Sequence, residues 1–168
     1  MDIVIRPEQS ADTERIRALA LNAFLAQTQS SHTEHRIIDR LRETNSLSIS
    51  LVAEVDGEIV GHIAFSDVDI SDGSTGWYAL GPLSVLPAMQ RKGIGSALVR
   101  AGLKELRQRG AHGCVLLGNP AFYRQFGFRN NPDLLLAESP QENFLAQSLT
   151  GENARGVVTY HPAFFNNC

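Results

Sequence analysis

The chain has 168 residues, of which 43% are hydrophobic and 20% charged, and its formal net charge is −3. A chain of this length buries roughly two thirds of its unfolded surface, and we expect residues 1–168 to form a single domain. The mild negative charge disfavours nucleic acid and anionic membranes as partners. The sequence has no signal-peptide pattern and no apolar run of membrane-spanning length, and its two cysteines lie far apart. We therefore expect a cytoplasmic protein without disulfides.

The first part of the chain predicts one strand and two helices. Asp2 to Arg6 is a short strand that ends at a proline, and Ser10 or Asp12 can cap the helix that follows. Ser31 and Glu34 form a capping-box pattern for a second helix. The apolar residues that recur at helical spacing are Ile16, Leu19, Ala20, Ala23 and Phe24 in the first helix and Ile37, Ile38 and Leu41 in the second.

Three antiparallel strands are predicted next. Segments 47–55 and 58–68 flank an Asp-Gly pair at 56–57, which is typical of a tight hairpin. Residues 69–76 are predicted to be a polar loop, which leads into a strand over 77–85. The Gly-Pro pair at 81–82 indicates a kink or bulge inside this strand.

The second half of the chain predicts a crossover unit. A helix with a single apolar stripe ends at Gly110, and a compact apolar strand follows over 113–117. The crossover would place this strand parallel to the strand over 77–85. A short helix over 121–125 ends at Gly127, residues 130–147 are predicted to be irregular, and 156–160 is a last strand. The fold class is α/β, a mixed sheet that is antiparallel first and parallel at the crossover, flanked by helices.

The loop before the crossover helix is predicted to bind a diphosphate. Gly93 and Gly95 allow close approach of the backbone, and Arg91 and Lys92 add positive charge where unpaired helical N–H groups begin. The dinucleotide fingerprint fails because Leu98 stands at its third glycine position. The nucleoside-triphosphate loop fails because no Gly-Lys-Ser/Thr follows a glycine at its spacing.

Two motifs resemble those of the GNAT N-acetyltransferases. The segment Gln90-Arg-Lys-Gly-Ile-Gly95 is similar to the acetyl-CoA loop of that family, and Asn119-Pro-Ala-Phe-Tyr123-Arg-Gln-Phe-Gly-Phe128 is similar to its second signature. Segments 117–120 and 156–161 resemble most the YhbS-type branch of predicted acetyltransferases. The resemblance implies the family's mixed sheet, acetyl-CoA as cosubstrate and no metal.

The resemblance also implies a role for individual residues. Backbone groups at Leu83 and Val85 would bond the pantetheine amides, Asn119 would contact the pantetheine arm, and Tyr123 would be the general acid that protonates the departing thiolate. An N–H of the bulged strand, at Val85, would polarise the thioester carbonyl. The complete implied cofactor-binding set is Leu83, Ser84, Val85, Gln90, Arg91, Lys92, Gly93, Ile94, Gly95, Ser96, Asn119 and Tyr123.

The general base is left open. Many members of the family carry a glutamate on the strand before the cofactor loop, whereas residues 77–82 of this chain contain no carboxylate. The candidates elsewhere are Asp67, Asp69, His32, His35, His161 and a water chain that ends on Ser84.

The acceptor is expected to be a primary amine on a small molecule, a peptide or a protein, which attacks acetyl-CoA directly. Segments 26–34, 66–77 and 130–143 are expected to border its cleft, where Asp67, Asp69 and Asp72 would favour a cationic amine. A monomer or a homodimer is compatible with the sequence. Two alternatives remain: a CoA-binding sensor without turnover, motivated by the missing carboxylate, and a toxin that acetylates aminoacyl-tRNA, which the acidic balance disfavours.

Overall fold

A computed structural model describes residues 1–25 and 34–165, which form one large and one small sheet with helices on both faces of the large one. The helices are α1 (Thr13–Leu25), α2 (Glu34–Glu43), α3 (Ile94–Gln108) and α4 (Pro120–Tyr123). The strands are β1 (Val4–Pro7), β2 (Ile49–Val55), β3 (Glu58–Asp67), β4 (Asp69–Ile70), β5 (Trp77–Val85), β6 (Gly113–Leu117), β7 (Arg129–Asn130), β8 (Leu134–Leu135), β9 (Phe144–Ser148) and β10 (Gly156–Thr159).

The large sheet has seven strands in the order β1-β2-β3-β5-β6-β9-β7. Its first four strands are antiparallel, and β2 and β3 are joined by the predicted turn, in which Asp56 and Gly57 have φ angles of 52° and 77°. Strand β6 runs parallel to β5, which confirms the predicted crossover through α3. The mixed sheet confirms the fold class expected from the sequence.

Helices pack on both faces of this sheet. Gly102 of α3 lies so close to Phe65 that an added Cβ would come within 2.3 Å of the phenylalanine ring, so glycine permits the contact between α3 and β3. Helix α3 ends as predicted, because Gly110 has a φ of 76° and donates its N–H to the Arg107 carbonyl at 3.1 Å. On the opposite face, apolar side chains of α1 and α2 pack against Val52 and Ile59.

Strands β5 and β6 separate after three residues. Only Trp77 to Ala79 of β5 pair with β6, and the remainder of β5 up to Val85 has no partner on that edge within the described chain. The register between β3 and β5 shifts between Ile63 and Phe65, opposite the Gly-Pro pair at 81–82, which confirms the predicted bulge. The result is an open notch in the sheet beside the start of α3.

Two segments that were predicted to be irregular contain strands. Residues 130–147 contain β8 and β9, and β9 pairs along its whole length with β6. The loop over 69–76 contains β4, which pairs with β10, and β10 belongs to a separate three-stranded sheet in the order β4-β10-β8. These pairings join segments that are distant in sequence, so no local pattern of turn residues or alternation indicated them.

A buried polar network lies under α1 and α2. The His62 ring is fully buried, and its Nε2 lies 2.7 Å from the hydroxyl of Ser50, which donates a short hydrogen bond to Glu8. Arg42 holds the same carboxylate at 2.9 Å. Burial lowers the pKa of His62 to about 4, with the Glu8 carboxylate opposing this shift and the Arg42 guanidinium adding to it.

Candidate active site

A cavity of about 600 Å³ opens at the notch between β5 and β6. It brings together residues from the end of α1, the outer half of β5, the loop before α3 and the start of α4. The lining residues are Ala23, Phe24, Leu83, Val85, Met89, Gln90, Arg91, Gly93, Gly95, Ser96, Asn119, Phe122 and Tyr123. Nine of the twelve residues predicted to hold a cofactor therefore face one cavity, namely Leu83, Val85, Gln90, Arg91, Gly93, Gly95, Ser96, Asn119 and Tyr123.

The floor of this cavity is the N-terminus of α3. The first hydrogen bond of the helix runs from the Ala97 N–H to the Gly93 carbonyl at 3.0 Å. The N–H groups of residues 94–96 therefore have no carbonyl partner within the helix. Gly93 has a φ of 86°, and a Cβ there would meet no atom within 4 Å, because this face of the loop is open to the cavity. Exposed Arg91 adds a positive charge to the positive end of the helix. The site is suited to a polyanion.

Three predicted cofactor residues do not line the cavity. The side chain of Ile94 is 1% exposed and belongs to the core beneath α3. Ser84 is also 1% exposed, since side chains alternate along a strand and those of Leu83 and Val85 take the cavity side. Lys92 is exposed beside the loop. Any contact of Ile94 or Ser84 with a cofactor would therefore use backbone atoms.

Asn119 and Gln90 each have a structural hydrogen bond as well as a place in the cavity wall. The Asn119 Oδ1 accepts the Ala121 N–H at 2.9 Å and so caps α4. Its Nδ2 group is the polar end that remains for a ligand. The Gln90 Nε2 donates to the Val85 carbonyl at 3.1 Å, which ties the loop to the end of β5.

Tyr123 lies deep in the wall with its ring held by three aromatic neighbours. The ring centroids of Phe122, Phe128 and Phe126 lie 4.8, 6.0 and 6.3 Å away, and the first two contacts are edge-to-face. An added Cβ at Gly118 would come within 2.5 Å of the tyrosine ring, so the absence of a side chain at this position leaves room for the ring. Burial raises the pKa of Tyr123 to about 12, which keeps its hydroxyl protonated near neutral pH.

A second cavity, of about 280 Å³, adjoins the first. Phe24, Leu83 and Tyr123 line both cavities and form the wall between them. The other lining residues of the second cavity are Glu34, Ile37, Leu80, Gly81, Pro82, Leu117, Tyr160 and Phe164. Glu34 is the last residue of segment 26–34, which was expected to border the acceptor cleft, and residues 26–33 lie outside the described part of the chain. Tyr160 and Phe164 were not predicted as site residues, because they are distant in sequence from every other residue of this lining except each other.

The carboxylates and histidines predicted to act near the acceptor lie elsewhere. Asp67 and Asp69 are exposed and line neither cavity. Asp72 accepts the backbone N–H groups of Ser74 and Arg155, and these bonds, with that of Arg155 the strongest influence, lower its pKa. The segments at 66–77 and 130–143 that were expected to border the cleft do not contribute to either lining.

The described histidines that were candidates for the general base, His35 and His161, also line neither cavity. The His161 Nδ1 accepts the Ala163 N–H at 2.9 Å, and its Nε2 lies 3.1 Å from the Thr44 hydroxyl, so both ring nitrogens are engaged. The Nδ1 of half-buried His35 has no hydrogen-bond partner within the described residues, and its ring lines neither cavity. His32 lies outside the described residues.

Two other kinds of feature are missing from the described residues, a metal-binding cluster and a membrane-spanning helix. Within residues 1–25 and 34–165, no group of three or more His, Cys, Asp and Glu side chains could hold a metal ion. No helix in these two ranges has the length and apolar character to cross a bilayer.

Comparison with known proteins identifies the family. Residues 13–128 match the acetyltransferase (GNAT) family. YhbS, an uncharacterized N-acetyltransferase of Escherichia coli K12, is 36% identical over 156 residues, which is 89% of this chain and 93% of that protein. A crystal structure of Escherichia coli YhbS in complex with CoA superposes with a TM-score of 0.90 at 31% identity and covers 99% of this chain and 93% of that one.

A second solved structure of the same family is also similar to this chain. A GNAT family acetyltransferase from Brucella melitensis, in complex with acetyl-CoA, is 44% identical, with a TM-score of 0.86 over 97% of this chain and 98% of that one. The family match, the identity with YhbS and the shared mixed sheet confirm the resemblance inferred from the two motifs. The chain belongs to the GNAT family of N-acetyltransferases, enzymes that transfer an acetyl group from acetyl-CoA.

Proposed function

We propose that the larger cavity binds acetyl-CoA and that a primary amine enters from the smaller one and attacks the thioester directly. The observation that carries this proposal is the shared wall: Tyr123 and Leu83 line both cavities, so one tyrosine faces the cofactor side and the acceptor side. The relatives solved with CoA and acetyl-CoA support the choice of cosubstrate.

The pyrophosphate would bind at the first turn of α3. The unpaired N–H groups at 94–96, the open face of Gly93 and the charges of Arg91 and Lys92 provide hydrogen bonds and positive potential for it. The pantetheine arm would run along the edge of β5 that β6 leaves free, where backbone groups near Leu83 and Val85 pair with its amides as an added strand would. Gln90, the Asn119 Nδ2 and the backbone at Ser84, Ile94 and Ser96 complete the proposed contacts.

The chemistry then needs one acid and one base. The neutral amine nitrogen attacks the thioester carbon while the Val85 N–H bonds the carbonyl oxygen, and collapse of the tetrahedral intermediate breaks the C–S bond. Tyr123 donates its phenolic proton to the sulfur and recovers a proton from the nitrogen, so the products are an amide and the free thiol of CoA.

Glu34 is our choice for the group that prepares the amine. Among residues 1–25 and 34–165, Glu34 is the only carboxylate that lines the smaller cavity. A carboxylate there attracts an ammonium ion and accepts its extra proton, directly or through water, so the nucleophile becomes neutral. The proposal replaces the earlier candidates Asp67, Asp69 and His161 with a residue that faces the acceptor.

The setting proposed for this activity follows the expectations from the sequence. We place residues 1–168 in one N-acetyltransferase domain that works in the cytoplasm as a monomer or homodimer, without metal, nucleic acid or membrane as partner.

The experiment that tests the proposal has two parts. Calorimetry should show that acetyl-CoA binds at micromolar concentrations. A panel of amines should then be screened for release of the CoA thiol from acetyl-CoA that depends on the added amine. Binding with no thiol release from any amine would favour the sensor alternative. Salt-sensitive binding of aminoacyl-tRNA followed by its acetylation would favour the toxin. No binding of CoA or its acyl derivatives at millimolar concentration would reject the proposal.

A further inference from the structure

We propose that Asn143 is a positioning residue for acetyl transfer, because its side-chain amide fixes the backbone of Gly118 and thereby the place of the Tyr123 hydroxyl. Asn143 lines neither cavity and belongs to a segment that is distant in sequence from the tyrosine. The inference rests on the proposed function, since it takes Tyr123 as the acid that protonates the departing thiolate. Asn143 would touch neither substrate nor cofactor and would act through Gly118.

Asn143 extends the pairing of β6 with β9 by one residue. The last register pair of these strands is Leu117 with Phe144, so Gly118 lies opposite Asn143, and its N–H donates to the Asn143 carbonyl at 2.9 Å. In an antiparallel pair the return bond would come from the Asn143 N–H, which donates to the Pro140 carbonyl at 3.0 Å instead. The Asn143 Nδ2 replaces that bond and donates to the Gly118 carbonyl at 3.1 Å.

Gly118 contacts the tyrosine and begins the segment that carries it. An added Cβ at Gly118 would come within 2.5 Å of the Tyr123 ring, so the ring lies directly against the glycine backbone. The next residue, Asn119, caps α4 with its side chain, and its carbonyl accepts the Tyr123 N–H at 3.1 Å. A displacement of Gly118 therefore reaches both the ring and the backbone of Tyr123.

The turn that carries Asn143 is itself held by an amide, that of Asn130 in β7. The Asn130 Nδ2 donates to the carbonyls of Gln141, Glu142 and Phe144 at 3.2, 3.0 and 3.2 Å. The two amides thus connect the end of the large sheet to the loop beneath the tyrosine. Both donate to backbone carbonyls, which is the arrangement expected of side chains that orient a site without binding its ligands.

Proton transfer to the sulfur depends on this placement. A general acid works only within hydrogen-bond reach of its acceptor, and a misplacement of about 1 Å can cost about 100-fold in rate. The rings around Tyr123, those of Phe122, Phe126 and Phe128, belong to the same short segment and would move with it. Asn143 adds a hydrogen bond from outside that segment. Its loss should therefore shift the hydroxyl without removing it.

The test is a double-mutant cycle between Asn143 and Tyr123. Asn143→Asp replaces the donor with an oxygen of similar size, and Asn143→Ala removes it. The rate of CoA thiol release at saturating acetyl-CoA gives kcat, with the acceptor that the wild type uses fastest among 2-phenylethylamine, spermidine and a short peptide that carries one lysine. Both substitutions should lower kcat about tenfold in the wild-type background. They should lower it less than twofold in the Tyr123→Phe background, where the misplaced hydroxyl is already absent.

Acetyl-CoA binding and a matched variant serve as controls. The Kd measured by calorimetry should stay within threefold in both Asn143 variants, and the stoichiometry counts the folded sites, so kcat refers to folded protein alone. Asn131→Asp adds the same charge in the same segment and keeps the oxygen that accepts the Asp133 N–H at 2.9 Å, so its kcat should stay within twofold. If Asn143→Asp does not fold, Asn143→Ala completes the cycle.

The outcomes separate this inference from the proposed function. Equal losses of kcat in the wild-type and Tyr123→Phe backgrounds would overturn the inference, because the amide would then act independently of the tyrosine hydroxyl. An unchanged kcat in the Asn143 variants, with Tyr123→Phe impaired, would also overturn it. If Tyr123→Phe keeps the wild-type kcat, or if acetyl-CoA binds and no amine releases thiol, the proposed function itself fails.

Discussion

Replacing Tyr123 with phenylalanine removes one hydroxyl and leaves the packing of the ring intact. The ring is held by Phe122, Phe126 and Phe128, and these contacts do not involve the oxygen. We therefore expect the free energy of unfolding to change by less than about 1 kcal/mol. The affinity for acetyl-CoA should stay within about threefold, since the proposed binding contacts lie along β5 and at the start of α3.

The loss of activity can be bounded from the pKa. A pKa of about 12 makes Tyr123 a weaker acid than a typical thiol with a pKa of about 8.5, so complete proton transfer to a free thiolate would cost roughly 5 kcal/mol. The hydroxyl therefore contributes at the low end of the usual range for general acids, and kcat should fall about 100-fold, which is about 2.7 kcal/mol.

The pH profile offers an independent check. Tyr123 acts in its protonated form, so its contribution would be lost only as the pH rises through about 12. Between pH 6 and 10 the ratio of wild-type to variant kcat, measured by thiol release, should be constant. Tyr78→Phe, on β5 and outside both cavities, is the control. A kcat within twofold of wild type would reject the acid role, and a wild-type decline near pH 10 that the variant lacks would refute the effect of burial on the pKa.

Three further predictions concern the loop, the tyrosine wall and the buried histidine. Gly93→Asp and Gly73→Asp place a carboxylate at nearly equal φ angles of 86° and 85°, with no atom within 4 Å of the added Cβ. Both substitutions should therefore lower the free energy of unfolding by about 1 kcal/mol. Only Gly93→Asp should weaken acetyl-CoA binding, measured by calorimetry. Gly118→Ala puts a Cβ within 2.5 Å of the Tyr123 ring, so kcat should fall about tenfold or more while acetyl-CoA affinity is kept. Burial lowers the pKa of His62 in the folded protein to about 4, whereas the ordinary value for histidine is about 6.5. The unfolded chain therefore takes up the proton first as the pH falls, and the free energy of unfolding should decline by about 3 kcal/mol between those two values. Urea unfolding at pH 7.5 and 4.5 measures this decline, which His62→Gln should reduce.

Each of these predictions has an outcome that contradicts it. Equal acetyl-CoA affinity in the two aspartate variants would remove the loop from the binding site. An unchanged kcat in Gly118→Ala would mean that the position of the tyrosine ring does not matter. An undiminished pH effect in His62→Gln would assign it to another group, of which Glu8 is the nearest: burial raises its pKa, but hydrogen bonds from Arg42 and Ser50 outweigh this and leave it lowered.

Local segments of the fold could be predicted because their signals lie within a few residues. The Asp56-Gly57 turn, the glycine that ends α3 and the Gly-Pro bulge in β5 all depend on backbone conformations that few residue types adopt. Strand β9 escaped prediction because its partner β6 is distant in sequence. Its first three residues, Phe144 to Ala146, are all buried and so do not alternate.

The amino-acid sequence by itself determined the family and the glycine loop at the start of α3, since the glycines before a helix and the order of two short motifs are local properties of the chain. Only the tertiary structure decided which residues line the smaller cavity, the proposed acceptor side. Glu34, Tyr160 and Phe164 meet there because α2 and the segment after β10 converge on the same edge of the bulged strand. That meeting depends on the packing of segments distant in the chain, which no spacing of residues in one segment encodes.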